Sequence, residues 1–313
     1  MRSLLSEIRL EQPLRCEVFQ REHGEARVPI RIAGWSEPAS RVTIVGARRI
    51  VARAELAVSS GVAEGSALVP EGGWYAITAE HEGRRLRLGR FGVGDVFVVT
   101  GQSNAAGHGD GFVADRTGMV SVWCDPTEWR LSTKPEGLPG GMGAGSPWPI
   151  LGELLHLSER VPIGFINVAV GGTSTEQWQP GGELYAGLKQ ALAGRRVRAV
   201  LWHQGESDQA SGFTTEQTYQ NMERLINQSR QDAGWPVPWY VALVSHTPDA
   251  PQESRNHTRE AQKLLYKMGL ALPGPDTDTY VPEAMRYDRL HFAEAGLTVH
   301  AILWFRALHF SRA

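Results

Sequence analysis

Short apolar runs alternate with segments of helical spacing from residue 94 to the end of the chain. The runs that predict buried strands lie at 96–100, 164–170, 197–203 and 237–244. Between them, apolar residues fall at helical spacing, as Leu184, Leu188 and Leu192 do, which predicts amphipathic helices. Strands that alternate with such helices are typical of a parallel sheet. We therefore expect an α/β domain over residues 94–313, with a long surface loop at 107–146 that is rich in glycine and proline.

Residues 1–93 have a different pattern. Apolar and polar residues alternate at 16–19, 28–32, 41–45 and 76–79, and turn-forming clusters separate these stretches. Such alternation predicts strands, and no convincing helical spacing occurs in this part of the sequence. The pattern predicts a small β-sandwich-like N-terminal domain over residues 1–93. This domain either binds carbohydrate or shields one side of the main sheet, and the second interpretation is favoured.

The composition is that of an ordinary globular protein and narrows the classes of partner. The 313 residues are 42% apolar and 21% charged, with a formal net charge of -2. Without an excess of basic residues, neither nucleic acid nor an anionic membrane is an expected partner. No apolar run approaches the roughly 20 residues that a membrane helix needs. Residues 1–7 lack the apolar core of a signal peptide, which predicts a cytoplasmic protein, with secretion as the alternative if a leader is missing.

The cysteines and tryptophans each leave two interpretations open. Cys16 and Cys124 are the only cysteines and show no metal-ligand spacing, so we expect two free thiols, with a disulfide as the alternative. The chain has ten tryptophans, which is many for its length. They either pack in the core or line a cleft for a sugar-like ligand.

Polar clusters follow three of the predicted strands. Their sequences are Gly-Gln-Ser-Asn at 101–104, Gly-Gly-Thr-Ser at 171–174 and Gln-Gly-Glu-Ser-Asp at 204–208. Because parallel strands end at one edge of the sheet, we expect these clusters to converge there. Asp288 and His291 lie three residues apart before the last helix, a spacing that points both side chains to one side. A serine after a strand could by itself merely cap a helix, but together the four segments indicate acyl-transfer chemistry.

Each member of this set has a predicted role. Ser103 is the expected nucleophile, His291 the base that takes its proton, and Asp288 the carboxylate that fixes the imidazole tautomer. The predicted oxyanion donors are the backbone N–H groups of Ser103 and Gly172 and the side-chain amide of Gln204. Gly171 is the alternative to Gly172 as the glycine donor.

Other polar residues near the strand ends have simpler interpretations. Glu206 is expected to hydrogen-bond near the site rather than to act as a general acid, and Asp208 is expected in a solvated turn. A zinc site built from His108, His203 and His246 is a weaker alternative, because these residues show no recognisable ligand spacing.

The four segments, in this order, resemble those of the SGNH/GDSL hydrolase superfamily. Within it, the chain is similar to the carbohydrate acetylesterase branch, which holds sialate O-acetylesterase-like and acetylxylan esterase-related proteins. The resemblance covers roughly residues 95–300 and implies a flavodoxin-like three-layer α/β/α fold, with ester hydrolysis that uses no metal and no cofactor. The roles it implies fall on Ser103, Gly172, Gln204, Asp288 and His291. The wider superfamily usually has asparagine where this chain, like this branch, has Gln204.

The predicted function is removal of O-acetyl groups from a carbohydrate through an acetyl-serine intermediate. The expected partner is a small-molecule or polysaccharide acetyl ester, which Trp178 and the tryptophans of the 107–148 segment are expected to contact. A lipid esterase or thioesterase with the same triad is one alternative. A carbohydrate-binding protein with an inactive hydrolase scaffold is the other. The sequence leaves the oligomeric state open.

Overall fold

The computed structural model describes residues 8–38, 40–136, 138–139 and 142–310. Residues 1–7, on which the expectation about a signal peptide depends, lie outside this part. The strands are β1 (Arg9–Gln12), β2 (Val18–Gln20), β3 (Glu25–Ala33), β4 (Ser40–Gly46), β5 (Arg49–Ser59), β6 (Val62–Pro70), β7 (Trp74–His81), β8 (Arg84–Gly101), β9 (Val120–Asp125), β10 (Glu128–Leu131), β11 (Ile163–Asn167), β12 (Ala199–His203), β13 (Trp239–Leu243) and β14 (Leu272–Asp276).

Eight α-helices are present in the described residues, together with short 3₁₀ turns. The α-helices are α1 (Ser103–Ala106), α2 (Trp148–Glu159), α3 (Glu183–Leu192), α4 (Glu206–Ala210), α5 (Thr215–Ala233), α6 (Gln252–Lys267), α7 (Thr277–Tyr280) and α8 (Glu294–Phe310). The 3₁₀ turns are Thr175–Trp178 and Glu283–Met285. Within the described ranges, no helix is long and apolar enough to cross a membrane.

The chain is a mixed α/β protein in which an antiparallel, β-rich N-terminal region precedes a parallel sheet. In the parallel sheet the strand order is β10-β9-β11-β8-β12-β13-β14, and every neighbouring pair except β10 and β9 is parallel. The predicted parallel sheet is therefore confirmed. Its central strand β8 leads directly to Ser103, so the carboxyl edge of the sheet carries the first of the predicted segments.

Helices cover both faces of the parallel sheet because alternate side chains of each strand point to opposite sides. On one face, Val96 and Val98 of β8 pack in a core with residues of α3, α5 and α6. On the other face, Phe97 and Val99 share a core with residues of α2 and α8. Burial on both sides explains why residues 96–99 of β8 form a continuous apolar run.

The long strand β8 joins the N-terminal region to the parallel sheet without a linker. Its first part pairs antiparallel with β7, and residues 92–94 pair parallel with β2. From Asp95 onward its partners are β11 and, from Phe97, β12. The pairing partners thus change next to the predicted boundary between 1–93 and 94–313, inside one strand. That division into domains stays a prediction.

Several elements differ from the predicted ones. The segment 107–146, predicted as a loop, contains β9 and β10, and β9 is an inner strand of the parallel sheet. The strand β14 reads Leu-Pro-Gly-Pro-Asp, and proline, which lacks an N–H donor, is tolerated there because the strand lies at the edge. Cys16 and Cys124, in contrast, are both free thiols, which is the interpretation that the sequence analysis favoured.

Candidate active site

Ser103, His291 and Asp288 form a hydrogen-bonded series at the carboxyl edge of the parallel sheet. His291 Nε2 lies 2.9 Å from Ser103 Oγ, although the two residues are 188 positions apart in the sequence. The other ring nitrogen, Nδ1, lies 2.6 Å from Asp288 Oδ2. These distances allow the serine hydroxyl to donate to Nε2 while Nδ1–H donates to the carboxylate. The structure therefore brings together the three residues that the sequence analysis assigned to a triad.

The turn that carries Asp288 and His291 is held by its own backbone. Asp288 Oδ1 accepts hydrogen bonds from the backbone N–H groups of Leu290, at 2.9 Å, and His291, at 2.6 Å. Such side-chain-to-backbone bonds are what favour aspartate at the start of a turn. Arg289, at the centre of the turn, pairs with Asp249 and Glu283. The carboxylate thus fixes both the loop and the imidazole.

The electrostatics of this series favour an ionised Asp288. Partial burial raises the pKa of its carboxyl group, but the hydrogen bonds from His291 and Leu290 outweigh this effect and hold the pKa below its usual value. An ionised carboxylate accepts a hydrogen bond from Nδ1–H, which keeps the proton on Nδ1 and leaves Nε2 as the acceptor that faces the serine. The arrangement is suited to take a proton from Ser103.

Two glycines after β11 lie beside the nucleophile. A Cβ added to Gly171 would lie 2.7 Å from His108 Cε1 and 3.5 Å from Ser103 Cβ, so a side chain larger than hydrogen is not accommodated there without displacing His108. Gly172 has a φ of +71° and faces open space. As the first residue of α1, Ser103 has an N–H without a partner inside the helix. The choice between Gly171 and Gly172 as oxyanion donor stays a prediction.

Gln204 lies at the end of β12 but directs its amide away from solvent. Its Nε2 donates to Asp208 Oδ1 at 2.8 Å and to the Thr173 carbonyl at 3.2 Å, and its side chain is buried. Both amide hydrogens are therefore engaged in this structure. To act as the predicted oxyanion donor, Gln204 would have to release one of these bonds.

The prediction that Asp208 lies in a solvated turn is wrong. The residue is fully buried, and it accepts hydrogen bonds from the backbone N–H of Thr175 at 2.8 Å and from its hydroxyl at 2.7 Å. With the bond from Gln204, these donors tie the loops after β11 and β12 together. A buried carboxylate requires such donors, and they offset much of the cost of desolvation.

Glu206 lines the same cavity as Ser103 and is hydrogen-bonded to Asn104, the residue that follows the nucleophile. The carboxyl group is buried, and its Oε1 accepts a hydrogen bond from Asn104 Nδ2 at 3.0 Å. This contact agrees with the interpretation of Glu206 as a hydrogen-bonding group. Burial raises the pKa of Glu206 to about 7, although the bonds from its backbone and from Asn104 lower it. Asp278 raises this pKa further, and Arg286 lowers it.

The raised pKa predicts a pH-dependent stability that Glu206→Gln should remove. The unfolded chain ionises this carboxyl group near pH ~4.3, whereas in the folded state its pKa is about 7. Between these values the folded state binds more protons, so the free energy of unfolding decreases as pH rises. We expect the stability of the variant, relative to wild type, to increase by roughly 2 kcal/mol between about pH 5 and about pH 8. Urea unfolding at both pH values measures this change.

Glu260→Gln is the matched control, because it removes one carboxylate from an exposed position of α6. If both variants change equally between the two pH values, the effect does not come from burial of Glu206.

The three histidines of the alternative zinc site, His108, His203 and His246, do not form a metal site in this structure. His108 is exposed at the edge of the site, with its ring centroid 6.3 Å from that of His291. His203 is buried, with Nε2 3.2 Å from Thr277 Oγ1, and His246 Nε2 lies 2.9 Å from the Arg289 carbonyl. In the part of the chain that the structure describes, no group of three or more His, Cys, Asp or Glu residues could hold a metal ion.

An open cavity of about 770 Å³ lies over the series. Of the fourteen described residues that line it, seven are polar and seven are small or apolar. The small or apolar residues are Ala106, Ala169, Val170, Gly171, Gly172, Ala210 and Leu290. Such a surface can cover a small apolar group attached to a carbonyl carbon.

The prediction that Trp178 and the tryptophans of the 107–148 segment contact a sugar is wrong. Trp178 is fully buried and donates its Nε1–H to Thr173 Oγ1 at 3.0 Å. The other tryptophans concerned, Trp123, Trp129 and Trp148, are also buried. None of the ten tryptophans is exposed. They pack in the core, which was the other interpretation of their number.

The sequence matches a known family over the region that builds this site. The family model described as "SASA: Carbohydrate esterase, sialic acid-specific acetylesterase" matches residues 93–296. A protein of Arabidopsis thaliana named "Probable carbohydrate esterase" is 29% identical over 169 residues, which are 45% of this chain and 65% of that protein. The chain thus spans about two thirds of the length of this curated relative.

Two solved structures share the fold. A carbohydrate acetylesterase from Xanthomonas citri is 17% identical, with a TM-score of 0.57, over 96% of this chain and 74% of the other. An Arabidopsis thaliana protein is 23% identical, with a TM-score of 0.52, over 68% of this chain and 97% of the other. The family match confirms the resemblance found in the four sequence segments. Because the family model covers more than half of the residues of this chain, the chain belongs to the SASA family of carbohydrate esterases, the sialic acid-specific acetylesterases.

Proposed function

We propose that this protein is a serine esterase that removes O-acetyl groups from a carbohydrate. The observation that carries the proposal is the hydrogen-bonded series from Ser103 through His291 to Asp288, which opens into a cavity lined by small residues. Membership of a carbohydrate esterase family supports the substrate class.

In the first half of the reaction, Ser103 Oγ attacks the carbonyl carbon of the acetyl ester, and its proton passes to His291 Nε2. The N–H groups of Ser103 and Gly172 and the Gln204 amide are the proposed donors to the oxyanion of the tetrahedral intermediate. The intermediate collapses when the bond between the carbonyl carbon and the sugar oxygen breaks. His291 donates its proton to that oxygen, so the sugar leaves as an alcohol and Ser103 is acetylated.

In the second half, a water molecule attacks the acetyl carbon while His291 takes its proton. The bond to Ser103 Oγ breaks, the proton on Nε2 returns to the serine, and the product leaves as acetic acid, which ionises to acetate in solution. Asp288 stays ionised throughout and stabilises the imidazolium that forms twice in each cycle.

We infer a flavodoxin-like three-layer arrangement for residues 94–313 and a β-sandwich-like unit for residues 1–93. The helix layers on both faces of the parallel sheet support the first inference, and the antiparallel strands before β8 support the second. The strand-end position of the site is typical of ligand sites in open α/β sheets.

The length of the acyl chain tests the proposal against a lipid esterase or thioesterase. Apart from Leu290, the apolar side chains that line the cavity are short, such as those of Ala106 and Val170, and they are enough to cover a methyl group. A seven-carbon tail would extend beyond them and gain little from burial. We expect kcat/KM for an acetate ester to exceed that for the matched octanoate ester by about tenfold or more. A preference for octanoate would contradict the proposed substrate class, as would failure to release acetate from any acetylated xylan, sialic acid or simple sugar.

A further inference from the structure

The proposed function fixes the side of the cavity on which the sugar must lie. His291 Nε2 has to reach the leaving oxygen in order to protonate it, so the sugar lies against the His291 side of Ser103. The acetyl methyl group then lies towards the small residues of the cavity wall. The surface beside the His291 ring is therefore the place to look for contacts to the sugar.

Tyr287 presents an aromatic ring on this surface. It is 51% exposed, in a chain in which none of the tryptophans is exposed. Its ring is stacked beside that of His291, with centroids 6.0 Å apart and an angle of 24° between the planes. Its hydroxyl donates to the His108 carbonyl at 3.3 Å, and its backbone N–H donates to the His291 carbonyl at 3.0 Å. The ring is thus held in position while half of it remains accessible.

His108 also lies beside the His291 ring, with centroids 6.3 Å apart, and it lines the cavity. Its side chain is exposed, and its backbone N–H donates to the Ser103 carbonyl at 3.0 Å, which places it directly beside the nucleophile. Partial burial and the nearby His291 lower the pKa of His108, which favours the neutral imidazole. A neutral imidazole has one donor and one acceptor, as a sugar hydroxyl group does.

We propose that Tyr287 and His108 form a subsite for the sugar of the ester, in which the exposed Tyr287 ring covers the C–H face of a pyranose and His108 hydrogen-bonds one of its hydroxyl groups. This inference rests on the proposed function and assigns the sugar-binding part of the same site. An exposed, rigid aromatic ring supplies apolar contact at little entropic cost, and the C–H face of a pyranose is the apolar surface that a sugar offers.

Kinetics on two acetate esters that differ only in their alcohol test the subsite. The substrates are a mono-O-acetylated methyl xylopyranoside and methyl acetate, each measured for kcat and KM. We expect Tyr287→Ala to lower kcat/KM for the sugar ester by about tenfold more than for methyl acetate, mainly through KM. Tyr287→Phe keeps the ring and loses only the hydroxyl, so we expect it to retain most of the preference for the sugar ester.

Tyr280→Ala is the matched control, because Tyr280 is 59% exposed but, unlike Tyr287, is not stacked beside His291 in the described ring contacts. It is expected to leave both substrates unaffected. An equal loss on both substrates in Tyr287→Ala would overturn the subsite and make Tyr287 a positioning residue for His291. No loss on either substrate would overturn it as well. If wild type hydrolyses neither ester, the proposed function fails; if it hydrolyses both and Tyr287→Ala leaves their ratio unchanged, only the subsite fails.

Discussion

Ser103→Ala should abolish the hydrolysis of acetate esters and leave the fold intact. The substitution removes the Oγ atom that lies 2.9 Å from His291 Nε2, and with it the only atom proposed to form the acyl-enzyme. Loss of a nucleophile in a serine hydrolase typically costs about 10⁶-fold in kcat. Ser103 has little exposed surface, and alanine fits its place in the four-residue helix α1. Acetate release and thermal unfolding, measured on the same preparation, test both parts of the expectation.

Ser207→Ala is a suitable control for this experiment. Ser207 lines the same cavity, and its contact with Gln102 is made by its backbone N–H, which the substitution keeps. We expect a loss of less than about tenfold from this variant. Undiminished turnover in Ser103→Ala would refute the assigned nucleophile. Absence of esterase activity in wild type as well would instead favour the carbohydrate-binding alternative.

The positions of Ser103 and His291 could be predicted because both depend on short sequence patterns. The apolar run of β8 is buried on both faces, so it identified a central strand and placed Ser103 at its carboxyl end. The spacing of Asp288 and His291 is local, and a turn closed by the aspartate itself was enough to orient both side chains. Parallel pairing of β8 with β11 and β12 then brought the glycines and Gln204 to the same edge.

The surroundings of the site could not be predicted because they depend on contacts between distant residues. Asp208 is buried because Thr175, 33 residues earlier, donates two hydrogen bonds to it, and no feature of the 204–208 segment indicates this. The same carboxylate engages the Gln204 amide, which the sequence had left available for the oxyanion. A carboxylate that follows a strand is expected to be exposed to solvent, unless the groups that donate hydrogen bonds to it can be identified.

The strand β9 was missed for a related reason. Its apolar run is short and lies between glycine-rich and proline-rich stretches, so its local pattern resembles a loop. It becomes a strand by pairing with β11, which begins 38 residues after β9 ends (163 against 125). The burial of the tryptophans could not be predicted either, because their number does not indicate whether their side chains lie in the core or at the surface.

Asp288→Asn is expected to cause the second largest loss of activity. The asparagine amide can donate to His291 Nδ1, which would move the ring proton to Nε2 and leave no acceptor for the serine hydroxyl. It also removes the negative charge that stabilises the imidazolium. In a serine hydrolase with a buried aspartate this change costs roughly 10⁴-fold in kcat; because the side chain of Asp288 is 37% exposed, we expect about 10²- to 10⁴-fold.

The control for this variant is Asp249→Asn, which changes the charge next to the same turn. Asp249 is bonded to Arg289 and does not contact the imidazole, so its loss should lower kcat only slightly. In Asp288→Asn, the asparagine Oδ1 can still accept from the backbone of Leu290 and His291, as the aspartate does, so the turn is expected to persist. A large loss confined to Asp288→Asn, with an unchanged unfolding temperature, therefore reports the tautomer and charge of His291. Equal losses in both variants would mean that the turn needs its negative charge for reasons other than orientation of the imidazole, and the triad assignment would lose its third member.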